Sequence, residues 1–126
     1  MRWLRRHNAS VVLAALILFG PAVECHASNR DSRTGTFAAI AYHPKGMEFG
    51  WATDRRTSRD AGTEALKQCG HPRCEVAITV RNACAALARG PQRSRTSKGV
   101  ARADAESKAL SRCGPGCAIV AWTCTQ

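Results

Sequence analysis

The sequence lacks the patterns by which several enzyme classes are recognised. It contains no Cys-x-x-Cys pair, which argues against a thioredoxin-like redox role. It also contains no Gly-x-Ser-x-Gly segment, the nucleophile elbow of α/β-hydrolases. Acidic residues number only 9 against 19 lysines and arginines, so few carboxylates are available for acid–base catalysis. These absences favour a non-catalytic role.

Long apolar runs are also scarce. The run near the start, Ala9–Phe19, is too short to span a bilayer, which needs about 20 residues. It follows three arginines and precedes small residues around Ala27, which is the pattern of a secretory signal peptide. We therefore predict a signal peptide over residues 1–27 and a secreted or periplasmic protein that does not span the membrane after cleavage. Lipidation at Cys25 is the alternative, but the glutamate before it fits that signal poorly.

Cleavage after Ala27 would leave six cysteines, at positions 69, 74, 84, 113, 117 and 124. An even number in a short exported chain is typical of a disulfide framework, which offsets the small core of such a domain. Their positions in the repeat described next favour the pairs Cys69–Cys74, Cys113–Cys117 and Cys84–Cys124. A zinc site built from four of these cysteines is the alternative, and export argues against it. We predict no metal and no cofactor.

One segment occurs twice, at Asp60–Gly70 and at Asp104–Gly114. The two copies share Asp, two Ala, Leu, Cys and Gly at the same offsets, and each is followed by a cysteine and an apolar run. Such self-similarity indicates a duplicated structural unit. Every shared residue has a structural role, because Asp begins a helix, Ala and Leu pack it, Cys links its end and Gly terminates it.

The apolar pattern predicts the order β-β-α-β in each unit. In the first unit, a strand over residues 37–42 is apolar on both faces and pairs with a strand over Met47–Trp51. A charged connection over Asp54–Thr57 then leads to a helix with Ser58 as its N-cap. In the second unit, the polar segment 93–100 is either an edge strand or a loop. The other predicted elements are strands over 76–81, 84–89 and 117–124 and a helix over 103–113.

We predict an α+β fold in which the two β-β-α-β repeats form one antiparallel or mixed sheet with two helices, stapled by disulfides. Residues 28–35 are polar without periodicity and are predicted to be a flexible N-terminus. The inward helix positions share small or apolar side chains. They are Ala61, Ala65, Leu66 and Cys69 in the first helix and Ala105, Ala109, Leu110 and Cys113 in the second.

These segments resemble the DUF4189 family, whose name records a domain of unknown function. The resemblance covers about residues 36–125, and we assign residues 36–126 to a DUF4189-like domain. It is carried by Phe37–Tyr42, Ala65–Gly70, Arg81–Ala88 and Cys117–Cys124. The chain departs from the family pattern at Arg93–Lys98, where glycines and aromatics would be expected, and at Arg102, where a Ser or Thr N-cap would be expected. The resemblance implies a small exported bacterial domain and transfers no active site.

Few side chains remain as candidates for chemistry. His43 and His71 fall in a turn and a loop, where exposed histidines are common without any role. Asp60 and Asp104 are explained as helix starts. A cell-wall hydrolase that uses these two carboxylates or His71 is nevertheless the catalytic alternative.

Trp51 and Trp122 are predicted to fill the small core, and a carbohydrate-stacking platform or a partner surface is the alternative. A basic cluster along the second unit is the candidate binding surface: Arg89, Arg93, Arg95, Lys98 and Arg102. No aromatic residue is interleaved with it, so specific nucleic-acid recognition is not predicted. The same charges would also protect an edge strand from aggregation.

The charge balance sets the class of partner. Without the leader the chain keeps 16 basic and 8 acidic residues, a net charge of +8. Such a surface suits an anionic envelope polymer, although surplus arginine also simply keeps a small protein soluble. We predict an exported, non-catalytic binding or envelope-associated domain with an anionic or protein partner. The alternatives are a cell-wall-directed hydrolase and an inhibitor or immunity protein of one.

Overall fold

The computed structural model describes residues 35–126. The predicted signal peptide and residues 28–34 of the predicted flexible N-terminus lie outside the described residues. The helices and strands follow one another in the predicted order, so the two β-β-α-β repeats are confirmed. The elements are β1 Phe37–Tyr42, β2 Phe49–Arg55, α1 Ser58–Cys69, β3 Glu75–Arg81, β4 Cys84–Arg89, β5 Ser94–Gly99, α2 Arg102–Cys113 and β6 Ala118–Cys124.

The six strands form two three-stranded antiparallel sheets, with orders β2-β1-β3 and β5-β4-β6. This corrects the prediction of one sheet shared by both repeats. β1 and β4 each pair on both sides with strands of their own repeat, and among the described residues no ladder joins an outer strand of one sheet to an outer strand of the other. The sheets meet through their faces, where side chains of both form one apolar cluster.

Stacking of the sheets produces four layers, in the order α1, first sheet, second sheet, α2. The middle layer of side chains comes from both sheets and contains Ala38, Ile40, Val80, Ala85, Leu87 and Ala121. On the outer faces, α1 covers Ala39, Ala41 and Ala52, and α2 covers Ala86 and Ala88. Both faces of β1 and β4 are therefore buried, which is why these two strands are apolar throughout.

The second strand of each repeat differs from the sequence expectation. β2 begins at Phe49 and continues to Arg55, so Asp54 and Arg55 belong to the strand, while Met47 is 83% exposed in the turn before it. The ladder with β1 extends this far because backbone pairing does not require apolar side chains. In the second repeat the segment left open as strand or loop is a strand, paired with β4 along its whole length.

The two helices begin differently. The N-cap of α1 is Thr57 and not the predicted Ser58, because the Asp60 N–H donates to Thr57 Oγ1 at 3.0 Å. The N-cap of α2 is Ala101, which offers no side-chain acceptor. Instead, the Asp104 carboxylate accepts from the Val100 N–H at 3.2 Å and pairs with Lys108 at 2.9 Å. The missing cap in the second repeat is therefore replaced in part by a carboxylate in the first turn.

Small residues let each helix lie directly on its sheet. Gly50 lies under α1, where a Cβ would collide with the carbonyl oxygen of Ala65 and the N–H of Cys69. The predicted inward alanines and cysteines of both helices are buried, but Leu66 is only half-buried and Leu110 is 37% exposed. At so short a distance from helix to sheet, the larger leucine side chains are displaced to the margin of the contact.

The six cysteines form three pairs, which are those favoured by the repeat. Two are local, Cys69–Cys74 and Cys113–Cys117, and each joins the end of a helix to the loop after it. The third, Cys84–Cys124, joins directly opposite residues of β4 and β6 and so closes the second repeat.

Candidate functional site

The outer strands β2 and β6 lie side by side where the two sheets meet. No strand ladder joins them. Instead, Thr53 Oγ1 donates to the Cys124 carbonyl, and Thr123 Oγ1 donates to the Ala52 carbonyl at 3.3 Å. The Gln126 N–H adds a bond of 2.8 Å to Asp54 Oδ1. Side chains therefore bridge this seam, and the surface above it is concave.

The first part of this concavity is aromatic. It has a volume of about 540 Å³, and its large apolar lining residues are Phe49, Trp51, Val120 and Trp122. The two tryptophans are 44% and 41% exposed, so the prediction that they fill the core is wrong. The physical reason is space, because Ile40 and Leu87 are the largest fully buried side chains of the described residues. A core of alanines between closely stacked layers has no room for an indole.

Arg102 packs against this aromatic part of the concavity. Its guanidinium lies over the Trp122 ring, 3.9 Å from the ring centroid, in a cation–π contact. Its Nε also donates to Glu106 Oε1 at 2.7 Å. The sequence places Arg102 in a basic cluster, whereas the structure makes it a neighbour of Trp122 at the start of α2.

The second part of the concavity is basic. It has a volume of about 940 Å³, and among residues 35–126 its lining includes the cations of Lys45, Arg89, Arg93 and Arg95 and no carboxylate. Arg89 is the structural member of this set, because its Nη2 donates to the carbonyls of His43 and Gly46 at 3.2 and 2.6 Å. Arg89 thereby fixes the β1–β2 turn through two of its carbonyl groups. Lys45, Arg93 and Arg95 are exposed.

The two parts are adjacent, because Phe49 and Val120 line both. We call the combined depression the seam groove. Its basic end is lined by Lys45, Arg89, Arg93 and Arg95, its middle by Phe49 and Val120, and its aromatic end by Trp51 and Trp122. Lys98, also in the predicted cluster, lies elsewhere, in a depression with Lys108 and Arg112.

A family model described as "Domain of unknown function (DUF4189)" matches residues 37–124, which is most of the chain and every strand and helix. The chain belongs to the DUF4189 family. Its fold is similar to the NMR structure of Rv1813c from Mycobacterium tuberculosis, with a TM-score of 0.54 and 33% sequence identity over 71% of this chain and 74% of that one. No curated protein matches the chain.

Two further features of this DUF4189 domain bear on its location. Three disulfides in so small a domain are consistent with an extracellular location. Within residues 35–126, neither helix has the length and hydropathy needed to cross a membrane.

The two repeat carboxylates of the DUF4189 domain do not form a pair. Asp60 lies in α1 and Asp104 in α2, and these helices cover opposite outer faces and make no contact with each other. The pKa of Asp104 is lowered by the hydrogen bond from Lys108 and, to a smaller extent, by the Val100 N–H. This carboxylate stabilises the start of a helix, on the opposite outer face from Asp60.

The histidines are brought together, which the sequence did not indicate. His43 is 9% exposed and its Nδ1 lies 2.9 Å from Glu48 Oε2, while the His71 ring stacks on it with centroids 4.1 Å apart. The pKa of Glu48 is lowered by its backbone hydrogen bond and by the His43 ring. His43 was expected to be exposed because it follows a strand in a turn. It is buried because the α1–β3 loop, which carries His71, folds over it.

Sequence reasoning therefore found only part of each group. The basic cluster identified Arg89, Arg93 and Arg95 of the seam groove but not Lys45, which belongs to the other repeat. It did not identify Phe49 or Val120 as groove residues, because both alternate in strands as core residues do. The sequence feature that could have indicated a groove here is the polar character of β5, because it leaves one edge of the second sheet without large apolar side chains.

Proposed function

We propose that this domain is an exported, non-catalytic binding module that holds an anionic glycan chain in the seam groove. The observation that carries the proposal is that a cationic depression and an aromatic depression lie side by side and share Phe49 and Val120. A ligand that fits both ends needs negative charge and flat, partly apolar rings along the same chain. Polysaccharides with acidic groups have both.

The basic end supports recognition of negative charge. Arg93 and Arg95 are exposed on the loop and strand that border the groove, and Lys45 faces them from the first repeat. Guanidinium groups bind carboxylates and phosphates through paired N–H donors. Because none of the described residues that line this end is a carboxylate, an incoming anion meets no like charge from them.

The aromatic end supports recognition of rings. Half-exposed tryptophans are uncommon unless the surface binds something, because each indole presents a large apolar area to water. Trp51 and Trp122 come from different sheets and line the same concavity. The Arg102 guanidinium covers part of the Trp122 ring, so the surfaces available to the C–H face of a sugar are those of Trp51 and of the uncovered part of Trp122. The hydroxyls of Thr53 and Thr123 are already used in bridging the seam.

The export part of the proposal is supported by the three disulfides and by the leader pattern of the sequence. Export also distinguishes an envelope polymer from single-stranded nucleic acid, which could engage similar groups through phosphates and stacked bases. The non-catalytic part is supported by the separation of Asp60 and Asp104 on opposite faces of the molecule.

Binding of polygalacturonate, as a defined anionic glycan, tests the proposal, with neutral dextran and single-stranded DNA as comparison ligands. We expect the protein to bind polygalacturonate, to ignore dextran, and to lose at least about tenfold in affinity between 50 and 200 mM salt. Arg95→Gln and Trp122→Ala should each weaken binding by about tenfold, the second because a stacked ring contributes on the order of 1–3 kcal/mol.

Lys98→Gln is the matched control, because it removes a cation of the same strand that lies outside the groove. Equal losses for Arg95→Gln and Lys98→Gln would show non-specific attraction to a basic surface and contradict the groove. Tighter binding of DNA than of glycan would contradict the ligand class. Release of reducing ends from the polymer would contradict the non-catalytic role.

A further inference from the structure

A cluster of His43, Glu48 and His71 lies at one end of the first sheet. One potential ligand atom from each residue lies within 4.8 Å of the other two. None of the three lines the seam groove. The cluster is therefore a separate group of side chains that the proposed binding function does not use.

Both segments that carry the cluster are fixed by bonds of their own. The His43 N–H donates to the Glu48 carbonyl at 2.9 Å, which closes the β1–β2 turn, and Arg89 holds two carbonyls of the same turn. His71 lies in the short loop closed by the Cys69–Cys74 disulfide. Support of this kind fixes the backbone of both segments, so that only a side-chain rotation is needed for a ligand to bind.

The turn packs closely against the cluster at Gly46, where a Cβ would overlap His43 Nδ1 and Glu48 Oε2. Any residue other than glycine would therefore occupy the point where these two atoms face each other.

From this geometry we propose that His43, Glu48 and His71 bind one divalent transition-metal ion of the zinc type. Two imidazoles and a carboxylate are the donor set that zinc accepts readily and that magnesium and calcium do not favour. Three protein ligands leave a fourth position open for water or an external ligand, as in zinc sites that act on a bound molecule.

The separation of the His43 and Glu48 ligand atoms requires only a small adjustment. His43 Nδ1 and Glu48 Oε2 are 2.9 Å apart, whereas two ligands of a tetrahedral zinc ion lie about 3.3 Å apart. When the ion binds His43 Nδ1, the neutral imidazole keeps its one proton on Nε2, so His43 binds as that tautomer and the ion takes the place of the hydrogen bond between Nδ1 and Glu48 Oε2.

The stacked rings of His43 and His71 must separate before both can bind the same ion. The imidazole planes of His43 and His71 are 13° from parallel, so their in-plane lone pairs run side by side and do not converge. His71 is the ring that turns, because it is the more exposed of the two and lies in a loop. Its Nδ1 accepts from the Arg73 N–H at 3.0 Å, which leaves Nε2 as its nitrogen for the metal.

Calorimetric titration of the exported, disulfide-bonded, tag-free protein with zinc chloride tests the site. We expect one zinc ion per chain, and His71→Gln, Glu48→Gln and Gly46→Ala should each weaken binding by about tenfold or more. Gly46→Ala is the most informative variant, because it keeps all three ligands and only fills the space between two of them. Glu64→Gln, at a half-buried position of α1 outside the cluster, is the matched carboxylate control and should bind zinc as the unchanged protein does.

Two readouts separate metal binding from a structural role of the cluster. The ring C–H signals of both histidines should shift together on adding zinc, and circular dichroism should show that the variants remain folded. A thiol assay must find no free cysteine, since reduced cysteines would bind zinc by themselves. The proposal is overturned if the folded protein binds no zinc, or if binding survives both His71→Gln and Glu48→Gln.

Discussion

Removing the Cys84–Cys124 disulfide should destabilise this domain about twice as much as removing either local disulfide. The perturbation is a paired replacement by alanine, made separately for each of the three disulfides. The sequence separations that they close are 40, 5 and 4 residues for Cys84–Cys124, Cys69–Cys74 and Cys113–Cys117, respectively. A cross-link stabilises the folded state mainly by restricting the unfolded chain, and this effect grows with the logarithm of the loop length.

The chain-entropy relation gives a loss of about 4 kcal/mol for the long loop and about 2 kcal/mol for each short loop. Packing does not explain the difference, because each pair contains one buried and one half-buried cysteine. Cys84, Cys69 and Cys113 are the buried members, with exposures of 6%, 5% and 0%. The loss of sulfur contacts is therefore similar in all three variants, and the loop length alone separates them.

Urea unfolding followed by far-ultraviolet circular dichroism measures the effect. The free energy of unfolding in water must be compared rather than the midpoint, because removing a cross-link also exposes more of the unfolded chain and raises the slope. A domain of this size has a total stability of about 5–15 kcal/mol, so the variant without Cys84–Cys124 should approach the limit of folding at 37 °C. Equal losses in all three variants, or the largest loss at a local pair, would refute the reasoning.

Two further predictions concern the helices. Ala101→Ser should stabilise the protein by about 1 kcal/mol because it supplies an N-cap acceptor, and Thr57→Ala should destabilise it by about 1 kcal/mol because it removes one. Thermal unfolding of both variants measures these changes in stability, and changes of the same sign would contradict the prediction. Gly50→Ala should destabilise by about 1–3 kcal/mol because its Cβ meets the backbone of α1. Gly62→Ala, which meets only a valine side chain at 3.2 Å and gains helix propensity, should be close to neutral in the same denaturation assay.

The repeat explains how much of the fold could be predicted. The two strands that are apolar on both faces, over residues 37–42 and 84–89, had to be central because only a doubly covered strand buries such a sequence. What could not be predicted was how the two repeats join. One shared sheet and two stacked sheets bury the same residues of β1 and β4, so the apolar pattern is compatible with both.

For the candidate sites too, local roles could be predicted from the sequence, and contacts between distant residues could not. Asp60 and Asp104 were explained as helix starts, and the structure keeps them apart. Trp51 and Trp122 were misplaced, because alternation along an edge strand does not reveal whether a neighbouring sheet covers that face. His43, Glu48 and His71 were not grouped, since the third is separated from the others by a whole helix.

The sequence by itself determined the local features of this protein. It specified two copies of one unit, helices that end at glycine, and cysteine pairs whose partners are set by the repeat, because each depends on neighbours along the chain or on the symmetry of the copies. The tertiary structure decided everything that depends on the stacking of the two sheets. Stacking placed β2 beside β6, left two tryptophans exposed along their seam, and joined cations of both repeats into one groove. These contacts join residues far apart in the chain, and no local pattern encodes them.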